Sequence, residues 1–373
     1  MAKRRATARV RYAVVGLGHI AQKAVLPAFA HARRNSELAA LVSDDPVKLR
    51  KMGRKYRVKS LYGYAQYEEC LKSGHVDAVY IALPNTLHRE YTERAARAGV
   101  HVLCEKPLAV TASDCEAMIR AAREGGVKLM TAYRLHFEKA NLEAVRALRS
   151  GRLGEPRIFS SVFTIQVKDE NNVRLKKGLG GGTLYDIGIY CINAARYLFR
   201  DEPVEAAAVT ARSGDRRFRE VEEMTSAILR FPQDRLASFT VGFGAQKTAS
   251  YDVVGTKGRL RLENAYEYAA EVKETITVGK RTRQRTYPQR DQFAAELVYF
   301  SECVLKGSEP EPSGDEGLAD VRIIEALYRS AETGRPVRLT PTARAERPTP
   351  AQEIRRPKVR KPETVHVRPP SAE

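Results

Sequence analysis

An apolar run that ends in a glycine-rich turn constrains the fold of this chain more than any other feature. Residues 11–15 read Arg-Tyr-Ala-Val-Val and lead into Gly-Leu-Gly-His-Ile-Ala, after which a helical pattern begins. In a G-x-G-x-x-A turn, the first glycine permits the tight turn, the second lets a diphosphate reach the backbone, and the small third residue packs the helix on the strand. The pattern predicts a dinucleotide site, with an anion at the helix N-terminus. Its predicted cofactor-binding residues are Gly16, Leu17, Gly18, His19, Ile20 and Ala21.

The alternation of strands and helices continues as far as residue 132. Six apolar runs separated by helical patterns predict a doubly wound parallel sheet, which binds ligands at the carboxyl ends of its strands. From residue 156, short strand-like runs follow one another between turns, which predicts a second α+β domain with a largely antiparallel, open sheet. We therefore expect an α/β Rossmann domain over residues 10–135 and an α+β substrate and oligomerisation domain over residues 136–335.

The end of the second strand predicts which dinucleotide binds. An acidic side chain at this position accepts a hydrogen bond from the ribose 2′-hydroxyl of NAD and repels the 2′-phosphate of NADP. Counted back from Asp45-Pro46, the position holds Ser43, and Lys48 follows five residues later, which favours NADP. Asp44 stands one position after Ser43 and would mark an NAD site if the register were shifted by one residue. We expect NADP and keep NAD as the alternative.

Residues that follow the later strands belong to the same rim of the sheet. Lys106 stands out because Pro107 fixes the turn after it, so that the ammonium can be directed into a cleft. A surface lysine paired with Glu105 is the alternative. For His88, helix capping or a buried hydrogen bond explains the residue as well as cofactor contact does. The predicted cofactor-binding residues of these turns are Leu83, Pro84, Asn85, His88, Glu105, Lys106 and Arg134.

Three glycines at residues 180–182 lead into a helical pattern over residues 183–199. Asp186 and Tyr190 lie four residues apart and share a polar face, while an apolar face beside it can anchor the helix to a core. The pattern predicts a catalytic helix that holds a carboxylate under a phenol, with the glycines leaving room for the nicotinamide end of the cofactor. The alternative is a helix packed on a sheet, with its Tyr and Asp hydrogen-bonded to backbone.

The net charge of +19 raises the question of a nucleic-acid partner. Residues 1–11 hold five Lys or Arg and no acidic residue, and residues 341–373 hold eight against four, so nearly half of the excess lies at the two ends. Neither a recognition helix nor zinc-finger spacing accompanies this charge, so we do not expect a nucleic-acid partner. Seven prolines within residues 341–373 predict a disordered basic tail.

Cellular location and metal content are predicted from three further observations. The longest apolar runs are too short to span a membrane, and the basic amino terminus is not followed by the apolar region of a signal peptide. The five cysteines are scattered without a Cys-x-x-Cys pair, which predicts free thiols and no metal site. We expect a cytoplasmic protein without membrane contact.

Four motifs, in this order, resemble the family named after glucose-fructose oxidoreductase and inositol dehydrogenase (Gfo/Idh/MocA). They are the G-x-G-x-x-A turn, Pro84-Asn-x-x-His88, Glu105-Lys-Pro107, and the triple glycine followed by Asp186-x-Gly-x-Tyr190. The resemblance covers about residues 10–335. Many members carry His at the position of Tyr190, so the chain is most similar to the branch that contains glucose-fructose oxidoreductase and dimeric dihydrodiol dehydrogenase.

The resemblance implies roles for the matching residues. Lys106 would contact the nicotinamide ribose and the substrate hydroxyl, Tyr190 would donate or accept a proton, and Asp186 would orient the substrate or Tyr190. Arg134 and Arg174 would contact the cofactor or the sugar side of the cleft. A homodimer or tetramer formed through the open sheet is also implied. Glucose-fructose oxidoreductase retains NADP with a long amino-terminal arm, whereas about ten residues precede the first strand here, so we expect a cofactor that exchanges.

The leading hypothesis is an NADP-preferring oxidoreductase that transfers a hydride between the nicotinamide and an aldose or a related polyol or keto-sugar. Tyr190 would move the hydroxyl proton, helped by Lys106, because a cation beside a phenol favours its anion. One alternative is a trans-dihydrodiol or dicarbonyl-type dehydrogenase that shares both residues. The other is a non-catalytic NAD(P)-sensing protein whose basic tail binds a partner.

Overall fold

The computed structural model describes residues 8–341, 348–360, 362–367 and 369. Most of the basic amino terminus, residues 1–7, and residues 342–347 of the predicted tail lie outside the described residues. Among the described residues, no helix combines the length and the apolar character that a membrane span requires.

The first sheet has six parallel strands in the order β3-β2-β1-β4-β5-β6. The strands are β1 (Val10–Val15), β2 (Ser36–Val42), β3 (Ser60–Tyr62), β4 (Ala78–Ile81), β5 (His101–Glu105) and β6 (Leu129–Ala132). The helices between them are α1 (Leu26–Ala32), α2 (Pro46–Tyr56), α3 (Tyr67–Lys72), α4 (His88–Arg97) and α5 (Ala112–Glu124). β4 is buried at every residue, as a central strand covered by helices on both faces must be. The predicted doubly wound Rossmann sheet is confirmed.

The second sheet has nine strands in the order β14-β13-β12-β11-β7-β10-β9-β8-β15. Within it only β7 and β10 pair in parallel, so the prediction of a largely antiparallel sheet is confirmed. Its strands are β7 (Pro156–Gln166), β8 (Glu205–Ala211), β9 (Met224–Phe231), β10 (Arg235–Gly242), β11 (Gly244–Gly255), β12 (Gly258–Glu263), β13 (Val272–Val278), β14 (Arg281–Tyr287) and β15 (Val337–Arg338). The sequence did not predict the hairpin of β13 and β14, because β14 is almost wholly exposed and has no apolar alternation.

Four further helices complete the fold: α6 (Lys139–Arg149), α7 (Ile189–Phe199), α8 (Gln292–Lys306) and α9 (Gly314–Thr333). α7 and one face of the second sheet share a large apolar core. α8 follows the second sheet in the chain, yet its residues Phe293, Leu297 and Phe300 lie in the core of the first domain, beside α1. The proposed division at residues 135 and 136 therefore separates the two sheets, but it does not follow the packing of α8.

The described residues of the carboxyl-terminal segment, 348–360, 362–367 and 369, make contacts that the prediction of a disordered tail did not include. They run along the first domain, where Ile354 and Val365 pack against its core and the backbone of Val365 exchanges two hydrogen bonds with Gln22. These contacts give the segment an ordered path in spite of its proline-rich and basic composition. Its course over the first domain is described with the site below.

Candidate active site

A cleft of about 1720 Å³ runs between the two domains, along the carboxyl ends of β1, β2, β4 and β5. Its far wall comes from the second domain, including the start of the helix that carries Asp186 and Tyr190. Of the residues predicted to contact cofactor or substrate, all line this cleft except Ala21, Asp44 and His88. The topology thus brings together residues that are scattered along some 170 positions of the sequence, from Gly16 to Tyr190.

The glycine-rich turn has the shape that a dinucleotide requires. Gly16 has a φ of +92°, and a Cβ there would lie 2.5 Å from the carbonyl oxygen of Ala82. A Cβ on Gly18 would meet no protein atom within 4 Å, so this glycine leaves open space beside the backbone. Ala21 is fully buried and starts a π-helical turn, Ala21–Val25, that leads into α1. Open space before a helix N-terminus fits a diphosphate, and the cleft is large enough for a dinucleotide.

His19 projects from this turn into the cleft. Burial, together with the nearby cations of Arg174 and Lys23, lowers the pKa of His19 to about 4. At neutral pH this histidine is therefore uncharged, and it adds no positive charge to the phosphate-binding turn.

At the end of β2, the structure places Ser43 and Asp44 differently, and these are the two residues that favoured NADP and NAD, respectively, in the sequence. Ser43 is buried and lines the cleft with Lys48, whereas Asp44 does not line it. The Asp44 carboxylate accepts a hydrogen bond of 2.6 Å from the backbone N–H of Tyr64. One oxygen of this carboxylate therefore fixes the turn after β3, and the expected contact between Asp44 and the cofactor stays a prediction.

His88 is also placed outside the cleft. It is fully buried, and its two ring nitrogens lie 2.9 Å from the carbonyl oxygen of Pro107 and 3.0 Å from that of Leu83. Burial lowers the pKa of His88, against the opposing effect of these carbonyl groups. The interpretation as a cofactor ligand is corrected here: His88 supports the two turns that carry Leu83 and Lys106, which line the cleft.

Lys106 reaches across the cleft to the second domain. Its ammonium donates a 2.7 Å hydrogen bond to the main-chain oxygen of Asp186 and lies 3.5 Å from the carboxylate. The other carboxylate oxygen accepts a 2.6 Å hydrogen bond from Nε of Arg174. Burial acts against ionisation of Asp186, but these two cations outweigh it and lower the pKa of its carboxyl group. Asp186 thus stays ionised and holds Lys106 and Arg174 on one side of the cleft.

Glu105 is not the partner of Lys106. Its side chain is buried and accepts a hydrogen bond of 2.8 Å from the hydroxyl of Tyr80. Burial raises the pKa of Glu105, although the neighbouring Lys106 cation opposes this effect. The alternative of an exposed Lys106–Glu105 pair is therefore not what the structure shows.

Tyr190 lies between two cations. The ammonium of Lys106 is 4.8 Å from the centre of its ring, and the guanidinium carbon of Arg134 is 5.0 Å away. Arg134 is itself buried and donates to the Gln292 side chain and, at 2.6 Å, to the main-chain oxygen of Tyr266. Arg134 is thus fixed by protein partners beside the phenol ring, and the ring is held at the lining of the cleft.

The three glycines before this helix are packed against protein atoms. A Cβ on Gly180 would lie 2.5 Å from Val110 and 2.8 Å from Asn85, and one on Gly182 would lie 2.4 Å from the hydroxyl of Tyr328. The carbonyl oxygen of Gly180 accepts a 2.8 Å hydrogen bond from the Asn85 amide. Gly180 thus lets the second domain approach the first, whereas Gly182 allows close packing within the second domain; Gly180 and Gly181 also line the cleft, so the predicted room for the cofactor stays a prediction.

The rest of the polar helix face is buried in a charged network. Asn193 donates to both Glu316 and Asp320, and Arg196, which is fully buried, is paired with Glu202, Glu316 and Asp320. Among the described residues, His136, Glu311 and Glu316 form a group whose ligand atoms lie within 4.8 Å of one another. Glu316 in that group already forms an ion pair with Arg196, so the network has a structural explanation in joining α7 to α9.

Several lining residues were not found from the sequence. Tyr266 and Tyr268 follow β12 in a turn without a recognised motif, although aromatic residues near a predicted cleft are a usable signal. The carboxyl-terminal segment contributes a second group, and its composition gave no such signal. These additional lining residues include Tyr64, Gln246, Lys247, Gln289, Lys358, Arg360 and His366.

Comparisons with known proteins agree with this architecture. Residues 10–133 match the model of the oxidoreductase family with an NAD-binding Rossmann fold, and residues 141–261 match the GFO/IDH/MocA C-terminal domain. A D-xylose 1-dehydrogenase [NADP(+)] of Haloarcula marismortui is 33% identical over 337 residues, which are 88% of this chain and 93% of the relative.

Two solved structures share the fold over most of the chain. The aldose-aldose oxidoreductase of Caulobacter crescentus, solved with glycerol, has 42% sequence identity and a TM-score of 0.85, covering 89% of this chain and all of that one. A 3-ketoreductase of Actinomadura kijaniata, solved with NADP and TDP-benzene, has 31% identity and a TM-score of 0.79, covering 86% of this chain and 98% of that one.

The A. kijaniata enzyme has also been solved as one variant in which a lysine is changed to alanine and as another in which a tyrosine is changed to phenylalanine. Those two positions are as far apart along that chain as Lys106 and Tyr190 are along this one. With both domains matched in order and relatives aligned over most of its length, the chain belongs to the Gfo/Idh/MocA family of oxidoreductases.

Proposed function

We propose that this protein is an NADP-preferring oxidoreductase that transfers a hydride between the nicotinamide and a sugar. The substrate class is an aldose or a related polyol or keto-sugar. The observation that carries the proposal is the position of Tyr190 at the lining of the cleft, with the cations of Lys106 and Arg134 at 4.8 Å and 5.0 Å from its ring centre. Relatives named as sugar dehydrogenases and oxidoreductases support the substrate class.

Oxidation of an alcohol removes a hydride from carbon and a proton from oxygen. The bound nicotinamide supplies the hydride chemistry, and the protein supplies position and proton transfer. Tyr190 accepts the hydroxyl proton in oxidation and returns it in reduction, and the positive charges of Lys106 and Arg134 beside its ring stabilise the anionic side of this transfer. Lys106 has three N–H donors, of which two point to Asp186, so the third is available to a substrate hydroxyl. Asp186 and Arg174 hold Lys106 in that position.

The preference for NADP rests on the end of β2. Ser43 and Lys48 line the cleft, and Asp44, the residue that would repel a 2′-phosphate, is turned toward the backbone of Tyr64. The A. kijaniata and H. marismortui relatives are described with NADP, which supports the same preference.

A substrate panel tests the proposal. Aldoses, polyols and trans-dihydrodiols are offered with NADP+ and with NAD+, and the reduced nicotinamide is measured by its absorbance. We expect turnover with one or more aldoses or polyols and a faster rate with NADP+. Activity confined to trans-dihydrodiols would replace the proposal with the second enzyme class, and a faster rate with NAD+ would contradict the cofactor preference.

We also propose a homodimer or homotetramer that works in the cytoplasm. The outer face of the second sheet exposes Ile158, Val209, Ile228 and Leu236, which supports association of two copies through this face. All five cysteines are free thiols, which supports a reducing compartment.

A further inference from the structure

The carboxyl-terminal segment crosses the cofactor end of the cleft. Its first attachment is at Gln352, whose side-chain amide donates a hydrogen bond to the main-chain oxygen of Glu311. Its second is at Arg356, whose carbonyl oxygen accepts a hydrogen bond from the backbone N–H of Asp291. At its far end, the carbonyl oxygen of Glu363 accepts from Lys55, on α2. The residues between these attachments lie over the cleft that holds the glycine-rich turn.

The attachment at the glycine-rich turn is specific. The side chain of Gln22 is 1% exposed. Its amide nitrogen donates a 3.0 Å hydrogen bond to the carbonyl oxygen of Val365, and its amide oxygen accepts a 2.8 Å hydrogen bond from the backbone N–H of Val365. The same amide nitrogen donates a 2.8 Å hydrogen bond to the carbonyl oxygen of Leu17, inside the glycine-rich turn. Because a buried amide requires its hydrogen bonds, the segment and the turn are joined through one side chain.

The next residue of the segment is tied to the end of β2. His366 Nδ1 lies 2.9 Å from the carboxylate of Asp45, and Asp45 is the N-cap of α2, two residues after Ser43. Hydrogen bonds from the backbone of Lys48 and from His366 lower the pKa of Asp45 to about 2. The segment therefore docks beside the position at which NADP and NAD are distinguished.

Two cations of the segment face the cleft. Lys358 and Arg360 line the cleft and make no hydrogen bond or ion pair within the part of the chain that the structure describes. They line the same cleft as Ser43 and Lys48, and Lys48 lies 3.9 Å from the carboxylate of Asp45. A cluster of cations facing a cavity is the arrangement that binds phosphate groups.

We propose that the carboxyl-terminal segment is a wall of the cofactor site, in which Lys358 and Arg360 bind the 2′-phosphate at the adenosine end of NADP. The inference rests on the proposed NADP-dependent function and assigns these two residues as specificity determinants. Gln22 and His366 position the segment.

Binding measurements on the full-length protein test this assignment without use of turnover. NADPH, NADH, adenosine 2′,5′-bisphosphate and 5′-AMP are titrated against the wild-type protein and the double variant Lys358→Ala/Arg360→Ala. We expect the double variant to bind NADPH and the 2′,5′-bisphosphate roughly tenfold to hundredfold more weakly, as the loss of charged hydrogen bonds implies. NADH and 5′-AMP, which lack the 2′-phosphate, should change less than about threefold.

The double variant Arg355→Ala/Lys280→Ala is the matched control. It removes the same net charge from exposed positions that do not line the cleft, so it should leave all four affinities unchanged. Equal weakening of NADPH and NADH, or no weakening of either, would overturn the assignment. Tighter binding in the first double variant would also overturn it, since it would show that the segment obstructs the site. A wild-type protein that binds neither dinucleotide would instead contradict the proposed function itself.

Discussion

At Tyr190 the chain places a phenol between two cations that are each fixed by other parts of the protein. Arg134 is held by Gln292 and the backbone of Tyr266, and Lys106 is held by Asp186. Because neither cation depends on a ligand for its position, the environment of the phenol is set before substrate binds. Such preorganisation is what a proton-transfer residue needs, since reorganisation during the reaction would add to the barrier.

His19 provides a prediction about pH at the residue scale. Its pKa is lowered to about 4 from an ordinary value of 6.5, first by burial and then by Arg174 and Lys23. Between these two values the unfolded chain binds the proton and the folded chain does not, so the free energy of unfolding falls as pH falls through this window. At about pH 5, we expect the free energy of unfolding to have fallen by about 1 kcal/mol less in His19→Gln than in the wild type, a value that allows for partial exposure of the ring.

Denaturant unfolding of the two proteins, free of cofactor, at about pH 7.5 and about pH 5 measures this difference. The comparison is between the pH-dependent loss in one protein and that in the other, so other titrating groups cancel. An equal loss in both proteins would place the pKa of His19 near its ordinary value and contradict the burial argument.

The individual residues of the site could be predicted unevenly from sequence. Lys106 and Tyr190 were found because each follows a recognisable local pattern, a strand end before proline and a helical face. Asp44 and His88 were also predicted to contact the cofactor, but neither lines the cleft, and spacing along the chain cannot show which way a side chain points. A hydrogen bond to Tyr64 decides the direction of Asp44, and two carbonyl groups decide that of His88.

In the turn between β1 and α1, two glycines have different roles: Gly16 is required by the backbone conformation, and Gly18 leaves open space. Gly16→Ala would place a Cβ 2.5 Å from the carbonyl oxygen of Ala82 and would force a non-glycine residue to a φ of +92°. We expect it to destabilise the fold by about 1–3 kcal/mol and to weaken NADPH binding. Gly18→Ala meets no protein atom within 4 Å, so it should keep the wild-type melting temperature and lose affinity for NADPH.

Two measurements on Gly16→Ala and Gly18→Ala check these expectations. One is thermal unfolding in the absence of cofactor, and the other is titration with NADPH. Gly18→Ala protein that melts as the wild type and binds NADPH as tightly would show that the open space beside the turn is not used. A stable Gly16→Ala protein would contradict the steric argument.

The helix that carries Asp186 and Tyr190 also shows which features of a site can be predicted from periodicity and which cannot. A spacing of four correctly placed Asp186 and Tyr190 toward the same cleft. It did not reveal that Leu184–Gly188 form a π-helical turn before α7, since residues four apart lie close together in either form. The same pattern did not show that Asn193 and Arg196 face a buried charged network, because their partners Glu316 and Asp320 lie more than 100 residues away.

For the whole molecule, the exposed face of the second sheet predicts how copies associate. Val209 is 72% exposed and Ile228 is 52% exposed, on neighbouring strands of an otherwise well-packed sheet. We expect Val209→Lys/Ile228→Lys to give a monomer with an unchanged melting temperature, because lysine is costly to bury in an apolar interface but tolerated on a free surface.

Sedimentation velocity of wild type and variants measures this state. Leu305→Lys is the matched control, because Leu305 is 45% exposed on α8, away from the sheet, and the variant should remain an oligomer. Loss of association in the control as well, or a double variant that stays oligomeric, would contradict the assignment of the sheet face.

The domain plan of the molecule was predictable because alternating strands and helices, and then successive strands, leave a regular pattern in the sequence. The carboxyl-terminal segment was not. Its proline-rich, basic composition is typical of disorder, yet Val365 binds Gln22, which lies 343 residues earlier. A contact that joins distant parts of a chain leaves no local pattern, so composition alone could not predict this attachment.

The central claim is that Tyr190 transfers the proton while a hydride passes between the nicotinamide and a sugar. A single-turnover measurement tests it most directly: protein saturated with NADP+ is mixed with the best aldose of the panel, and reduction of the nicotinamide is followed in wild type and in Tyr190→Phe. The account predicts that the variant binds NADPH with wild-type affinity and reduces NADP+ at least about a hundredfold more slowly. A Tyr190→Phe protein that reduces NADP+ at the wild-type rate would contradict it.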